Sequence, residues 1–180
     1  MPDTPALTRS LLEFIDAAPT PFHAVAEARR RMAEHLFTPL DEREPWRLEG
    51  GARHVVVRHD SSLVAFALGA QPPAEAGFLM VGAHTDSPNL RLKPRAELTR
   101  HGCRQLGVEV YGGALLHTWL DRDLSLAGRV FLAGSDEPRL LRVGRPLCRV
   151  PSLAIHLDRE VNEKGLVLHR QNQLPPLVGL

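Results

Sequence analysis

Residues 78–83 read Phe-Leu-Met-Val-Gly-Ala, with no polar side chain among them, and run directly into His84-Thr85-Asp86-Ser87-Pro88. A short apolar run bounded by turn-forming residues predicts a fully buried strand. In open α/β sheets, ligands bind in the crevice beyond the carboxyl ends of the strands. The run therefore places His84 and Asp86 where such proteins do chemistry. His84 can bind a metal through one ring nitrogen. Asp86 can accept the other N–H directly or serve the metal from behind its ligand. A structural histidine at a strand end is the competing reading, because a catalytic zinc needs three protein ligands and this motif offers one.

The elements leading to that run follow from periodicity. Leu7, Leu11, Phe14 and Ile15 recur at helical spacing, predicting a helix over 7–17 that Ala18-Pro19 ends. Thr20-Pro21 then reads as an N-cap with proline at the first helical position, where its missing N–H costs nothing. The second helix directs Phe22, Val25, Met32 and Leu36 inward and Glu27, Arg29, Arg30 and Glu34 outward, with His23 in its first turn as a locally hydrogen-bonded histidine. Strands are expected over 53–58 and 63–68, separated by Asp60-Ser61-Ser62, with a loop over 69–77 before the apolar run.

Beyond Pro94 the texture changes. Short β-like runs at 107–111, 128–132, 140–143, 147–150 and 153–157 are separated by glycine, proline or charge, which predicts a β-rich unit and a domain break near residues 91–97. The closing residues 172–180 are apolar and carry no terminating signal, so the chain looks stopped partway.

Composition limits the partners. With 180 residues, 43% hydrophobic, 24% charged and a net charge of +1, the chain is a globular protein with no electrostatic footprint for nucleic acid or a membrane surface. Arg29-Arg30-Arg31 is read as a solvated helix face. No stretch approaches the ~20 apolar residues of a membrane span. The opening residues Met1-Pro2-Asp3-Thr4-Pro5 lack the pattern of a signal peptide. Two cysteines, Cys103 and Cys148, supply neither a disulfide framework nor a cysteine zinc site, so a reducing cytoplasm is expected.

Nine histidines offer several further candidates. His156 closes the run Leu153-Ala154-Ile155 and is read either as a satisfied core histidine or as a ligand; His101, His117 and His169 are read as surface or packing residues. Asp121 and Asp123 are either paired metal carboxylates or, as preferred, members of an ion-pair network compensated by Arg122. A Ser87 nucleophile is set aside, because triad members converge from separate segments and no Gly-x-Ser-x-Gly elbow is present.

Taken in order, several blocks resemble consecutive blocks of the aspartyl aminopeptidase family, which includes vacuolar aminopeptidase I and its bacterial relatives. They are Thr20-Pro21-Phe22-His23-Ala24-Val25, Gly82-Ala83-His84-Thr85-Asp86-Ser87-Pro88, Val108-Glu109-Val110-Tyr111-Gly112-Gly113, the stretch 118–130 that opens Thr118-Trp119-Leu120-Asp121-Arg122-Asp123, Leu153-Ala154-Ile155-His156-Leu157 and Val161-Asn162-Glu163. The resemblance implies a zinc metalloaminopeptidase, a hydrolase that releases N-terminal, preferentially acidic, residues from peptides. It implies two zinc ions per site and a large homo-oligomer. The fold implied is the N-terminal part of an α/β peptidase domain over 1–92, then part of a β-rich inserted dimerisation domain over 93–180. His84 becomes a zinc ligand and Asp86 the catalytic carboxylate that orients it. His156 becomes a residue that reaches an active site across a subunit interface, to metal or to substrate.

Family members are longer, and their bridging carboxylate, glutamate base and remaining ligands follow the inserted domain. Asp158, Glu160 and Glu163 lie in the wrong blocks to replace them. The resemblance thus implies a chain carrying part of a site, with weak zinc affinity and no activity alone. The alternative is a catalytically silent fragment that serves only in assembly.

Overall fold

The Thr20-Pro21 signal organises the first elements. In the structure, a computed structural model that describes residues 4–179, Thr20 is extended and caps helix α2 (Pro21–Glu34), accepting the His23 N–H. Helix α1 (Thr4–Ala17) precedes it. Arg31 joins the two by donating to the Ser10 hydroxyl at 2.9 Å and lying 5.3 Å from the centre of the Phe14 ring. The basic run is therefore only partly a solvated face. Glu27 is also not outward: it lies against Arg30 and Arg31, with its side chain 12% exposed. Of the expected apolar stripe of α1 only Phe14 is half-buried; Leu7, Leu11 and Ile15 are exposed. Leu36 lies beyond the end of α2 in a left-handed conformation (φ 63°) and is exposed rather than inward.

Strand β1 (Thr38–Pro39) runs parallel to β2 (Arg53–Arg58), which pairs antiparallel with β3 (Ser62–Ala67). The turn between β2 and β3 puts His59 and Asp60 in the left-handed region. Helix α2 packs on β2 and β3, and Ala24, Val25, Val55 and Val56 are buried. A one-turn helix, α3 (Pro73–Ala76), follows.

The apolar run does not form the expected strand. Residues 78–83 join none of the sheets, and Phe78, Leu79, Met80 and Val81 are strongly exposed, Leu79 at 98%. A buried strand requires a hydrogen-bonded neighbour and a cover for its apolar side chains. Neither is supplied to this run by the described residues.

The β-rich half is built on β4 (Asn89–Arg100) and β5 (Cys103–Tyr111), joined by a two-residue turn with His101 and Gly102 both at positive φ. That backbone matches the twist of the flanking strands. Strand β4 runs through residues 91–97, with a register shift between Leu92 and Glu97, around Pro94. Proline donates no ladder bond, so an irregularity there is its usual accommodation. A 3₁₀ turn (Leu116–Trp119) leads to β6 (Leu124–Phe131), which pairs with β7 (Pro138–Cys148) in a two-stranded sheet. The runs over 140–143 and 147–150 lie largely within this one strand, because Gly144 does not interrupt it. Residues 153–157 form a loop and turn, not a strand. The one-turn helix α4 (Val161–Lys164) follows, and β8 (Leu177–Gly179) closes the order on β5.

Val108, Val150 and Leu174 form the core of this half, with Leu90, Val110, Leu116, Leu120, Leu124 and Leu168 packed on it. The apolar closing segment is thus anchored: Leu174 is fully buried and Leu106 donates to the Pro176 carbonyl. Met1, Pro2, Asp3 and Leu180, on which two of the expectations above touch, lie outside the described residues. The chain divides into two compact units, one comprising residues up to Ser87 with Ala127–Leu141, the other Pro88–Leu126 with Arg142 onward. Among the described residues no helix is long and apolar enough to cross a membrane.

Candidate metal centre

His84 and Asp86 follow the exposed apolar run. Nδ1 of His84 lies 2.7 Å from the backbone carbonyl oxygen of Asp86. A carbonyl can only accept, so this contact puts a proton on Nδ1, and in the neutral ring Nε2 then carries the lone pair. A neutral imidazole fixed in that way is the form that ligates zinc. The Asp86 carboxylate is farther off, with Oδ1 at 3.5 Å from the same nitrogen. Its carboxylate is not the closest acceptor for the ring; the main chain of the same residue is.

Thr85 fixes the motif to the first unit. Its hydroxyl donates to the Ser61 carbonyl at 2.7 Å, at the turn between β2 and β3. Arg129 braces that turn in its own right. Nη1 donates to the His59 carbonyl at 2.9 Å and meets the Asp60 carboxylate at 3.3 Å, while the guanidinium lies 4.1 Å from the Phe22 ring centre and 5.3 Å from that of Phe131. No sequence signal assigns these roles to Thr85 and Arg129, since their partners lie 24 and 70 residues away.

His156 is not a core histidine. It is exposed on a turn closed by the Leu157 N–H on the Ala154 carbonyl at 2.8 Å, and Leu153, Ile155 and Leu157 beside it are exposed as well. The apolar run that suggested a buried strand lacks the pairing that would bury it. His23 behaves as read, its Nδ1 2.7 Å from the Thr20 hydroxyl.

Asp121 and Asp123 belong to an ion-pair network, but Arg149 compensates them rather than Arg122. Arg149 Nη1 is 3.6 Å from Asp123 and Nε is 3.8 Å from Asp121. Ser152 donates both its N–H and its hydroxyl to the Asp121 carboxylate, and these bonds, with Arg149 second, hold that carboxyl below the usual range. Glu160 is engaged by Lys164 at 2.8 Å.

His54 was not singled out by sequence. It is buried on β2, its ring 5.5 Å from that of Phe66, and neither ring nitrogen has a hydrogen-bond partner. Among the described residues no three His, Cys, Asp or Glu side chains are grouped closely enough to hold a metal ion. The donor set thus fits zinc at one position, Nε2 of His84, and is not completed there by its neighbours.

Three comparisons bear on this geometry. Residues 14–180 match the family model of the aminopeptidase I zinc metalloproteases (M18). A probable M18 family aminopeptidase 2 of Azotobacter vinelandii is 53% identical over 175 residues, 96% of this chain and 41% of that protein. The chain therefore spans about two fifths of the length of that curated relative. Among solved structures, a chain of the Ape4 and Nbr1 complex superposes with a TM-score of 0.89 at 41% identity, covering 95% of this chain and 33% of that one. The mApe1 dodecamer of S. cerevisiae gives 0.71 at 28% identity, covering 95% and 47%.

Proposed function

The chain belongs to the aminopeptidase I family of zinc metalloproteases, M18, and on that premise we propose that the protein removes single residues from the amino ends of peptides by zinc-assisted hydrolysis. Acidic N-terminal residues are the preferred substrates in this reading, and two zinc ions serve each site. The observation that carries it is the His84 contact with the Asp86 carbonyl at 2.7 Å, which presents Nε2 as a ligand. When bound, zinc polarises the scissile carbonyl and acidifies the attacking water.

This chain's residues then divide the work. His84 ligates, Asp86 orients the imidazole through its carbonyl and adds negative charge behind it, and Thr85 ties both to the β2–β3 turn. His156 of one subunit stands at the active site of another, against metal or substrate; the dodecamer formed by mApe1 of S. cerevisiae supports a homo-oligomer. Residues 1–92 form the N-terminal part of the peptidase domain and 93–180 part of an inserted β-rich dimerisation domain. Cytoplasm is the compartment that the cysteine usage favours.

The test uses the full-length protein. Metal analysis should find zinc, and aspartyl and glutamyl anilides should be cleaved faster than leucyl anilide, with a chelator abolishing both. The His84→Ala protein should lose zinc and activity while still assembling. Cleavage that no chelator inhibits sinks the proposal. The isolated 180 residues should bind zinc weakly and cleave nothing.

A further inference from the structure

We propose that Asp121 is a positioning residue for the segment that carries His156, an inference that rests on the catalytic reading of His156 given above. Asp121 follows the 3₁₀ turn at φ 55°, a left-handed conformation that aspartate tolerates better than most residues. Its N–H donates to the carbonyl of Val150 at 2.8 Å, and Val150 is fully buried in the core. Its own carbonyl accepts from Arg149 Nη2 at 2.6 Å. Oδ1 accepts the Ser152 N–H at 3.1 Å, and Oδ2 accepts the Ser152 hydroxyl. One residue, through its main chain and side chain together, therefore grips positions 149, 150 and 152.

Past Ser152 the support changes. Residues 153–157 join no strand, and Leu153, Ile155 and Leu157 are 53%, 45% and 74% exposed, so packing within their own chain does not locate them. What remains is the turn closed by the Leu157 and Asp158 N–H groups on the Ala154 and Ile155 carbonyls. His156 lies within that turn, four residues beyond the Ser152 anchor. A side chain on an unpacked turn is placed by where the stem of the turn is fixed, and Asp121 fixes it. Displacement of a reacting group by about 1 Å costs on the order of 100-fold in rate, so loss of the anchor must register in turnover.

The experiment compares four variants of the full-length enzyme: Asp121→Ala, Asp121→Asn, His156→Ala and the double variant Asp121→Ala/His156→Ala. Asp121→Ala should lower kcat/KM by roughly 10- to 100-fold. Asp121→Asn, which keeps an acceptor oxygen and tolerates the left-handed backbone, should recover most of that loss. The double variant should be no slower than His156→Ala alone. Amide exchange over 152–158 should accelerate in Asp121→Ala while that of β5 stays unchanged. A double variant slower than His156→Ala by the full Asp121→Ala factor overturns the inference, as does unchanged exchange over 152–158. A fully active His156→Ala enzyme overturns the catalytic reading of His156 instead; the anchoring by Asp121 is then decided by the exchange measurement.

Discussion

The His84 ring is held by the main chain of Asp86: Nδ1 lies 2.7 Å from the Asp86 carbonyl oxygen and 3.5 Å from its nearer carboxylate oxygen. Substituting the side chain therefore leaves the closer of the two contacts in place. In the full-length enzyme Asp86→Asn should retain zinc while activity falls by roughly 10- to 100-fold, the usual cost of losing a group behind a ligand. His84→Ala should lose the metal itself. Zinc content and turnover measured on the same preparations separate the two, and loss of zinc from Asp86→Asn contradicts the arrangement.

His54 should be replaceable with a gain in stability. Its two ring nitrogens are buried without partners beside Phe66. A buried polar group left unsatisfied costs about 1–3 kcal/mol. His54→Leu, of similar volume, should raise stability by about 1 kcal/mol, or ~3 °C in melting temperature. A lower melting temperature contradicts the orphaned-imidazole account.

Acid should loosen the α1–α2 pair through Glu27. Hydrogen bonds from Arg30 and then Arg31 hold its pKa at about 2, against 4.5 unperturbed. A carboxylate with a depressed folded-state pKa contributes stability that is complete above its unfolded value and is lost as pH falls through the folded value. The denaturation midpoint should thus fall between pH 4.5 and about 2. Glu27→Gln should be less stable at neutral pH and flatter across that window. Parallel curves for the two proteins refute the assignment.

Arg129→Lys should not be conservative. The guanidinium lies over Phe22 and Phe131 while donating to the His59 carbonyl, a combination of planarity and fixed donors that an ammonium cannot reproduce. Arg129→Ala should cost about 1–3 kcal/mol, with Arg129→Lys recovering less than half. Chemical denaturation of the three proteins measures this directly.

Local elements were legible in the residues. Thr20-Pro21 predicts the start of α2 because capping is decided within four residues. The run Val55-Val56-Val57 and the turn residues after it predict β2 and its hairpin for the same reason. The ordered blocks around His84, Asp121 and His156 were enough to indicate the family, since a series of motifs in order is far more specific than one. The roles that escaped were those whose partners lie far along the chain. Arg149 rather than Arg122 compensates Asp121, across 28 residues, and no local pattern signals it.

The sequence by itself determined the two long helices, the turn between β2 and β3 and that His84 is followed by a residue able to fix its tautomer. These depend on backbone preference and on neighbours a few residues apart. The tertiary structure alone decided whether apolar runs are buried. Residues 78–83 and 153–157 carry strand-like patterns and are exposed, while the apolar close at Leu174 is fully buried because β5 and Val108 receive it. A strand has no internal hydrogen bonds, so its existence depends on a neighbour that may lie anywhere in the fold.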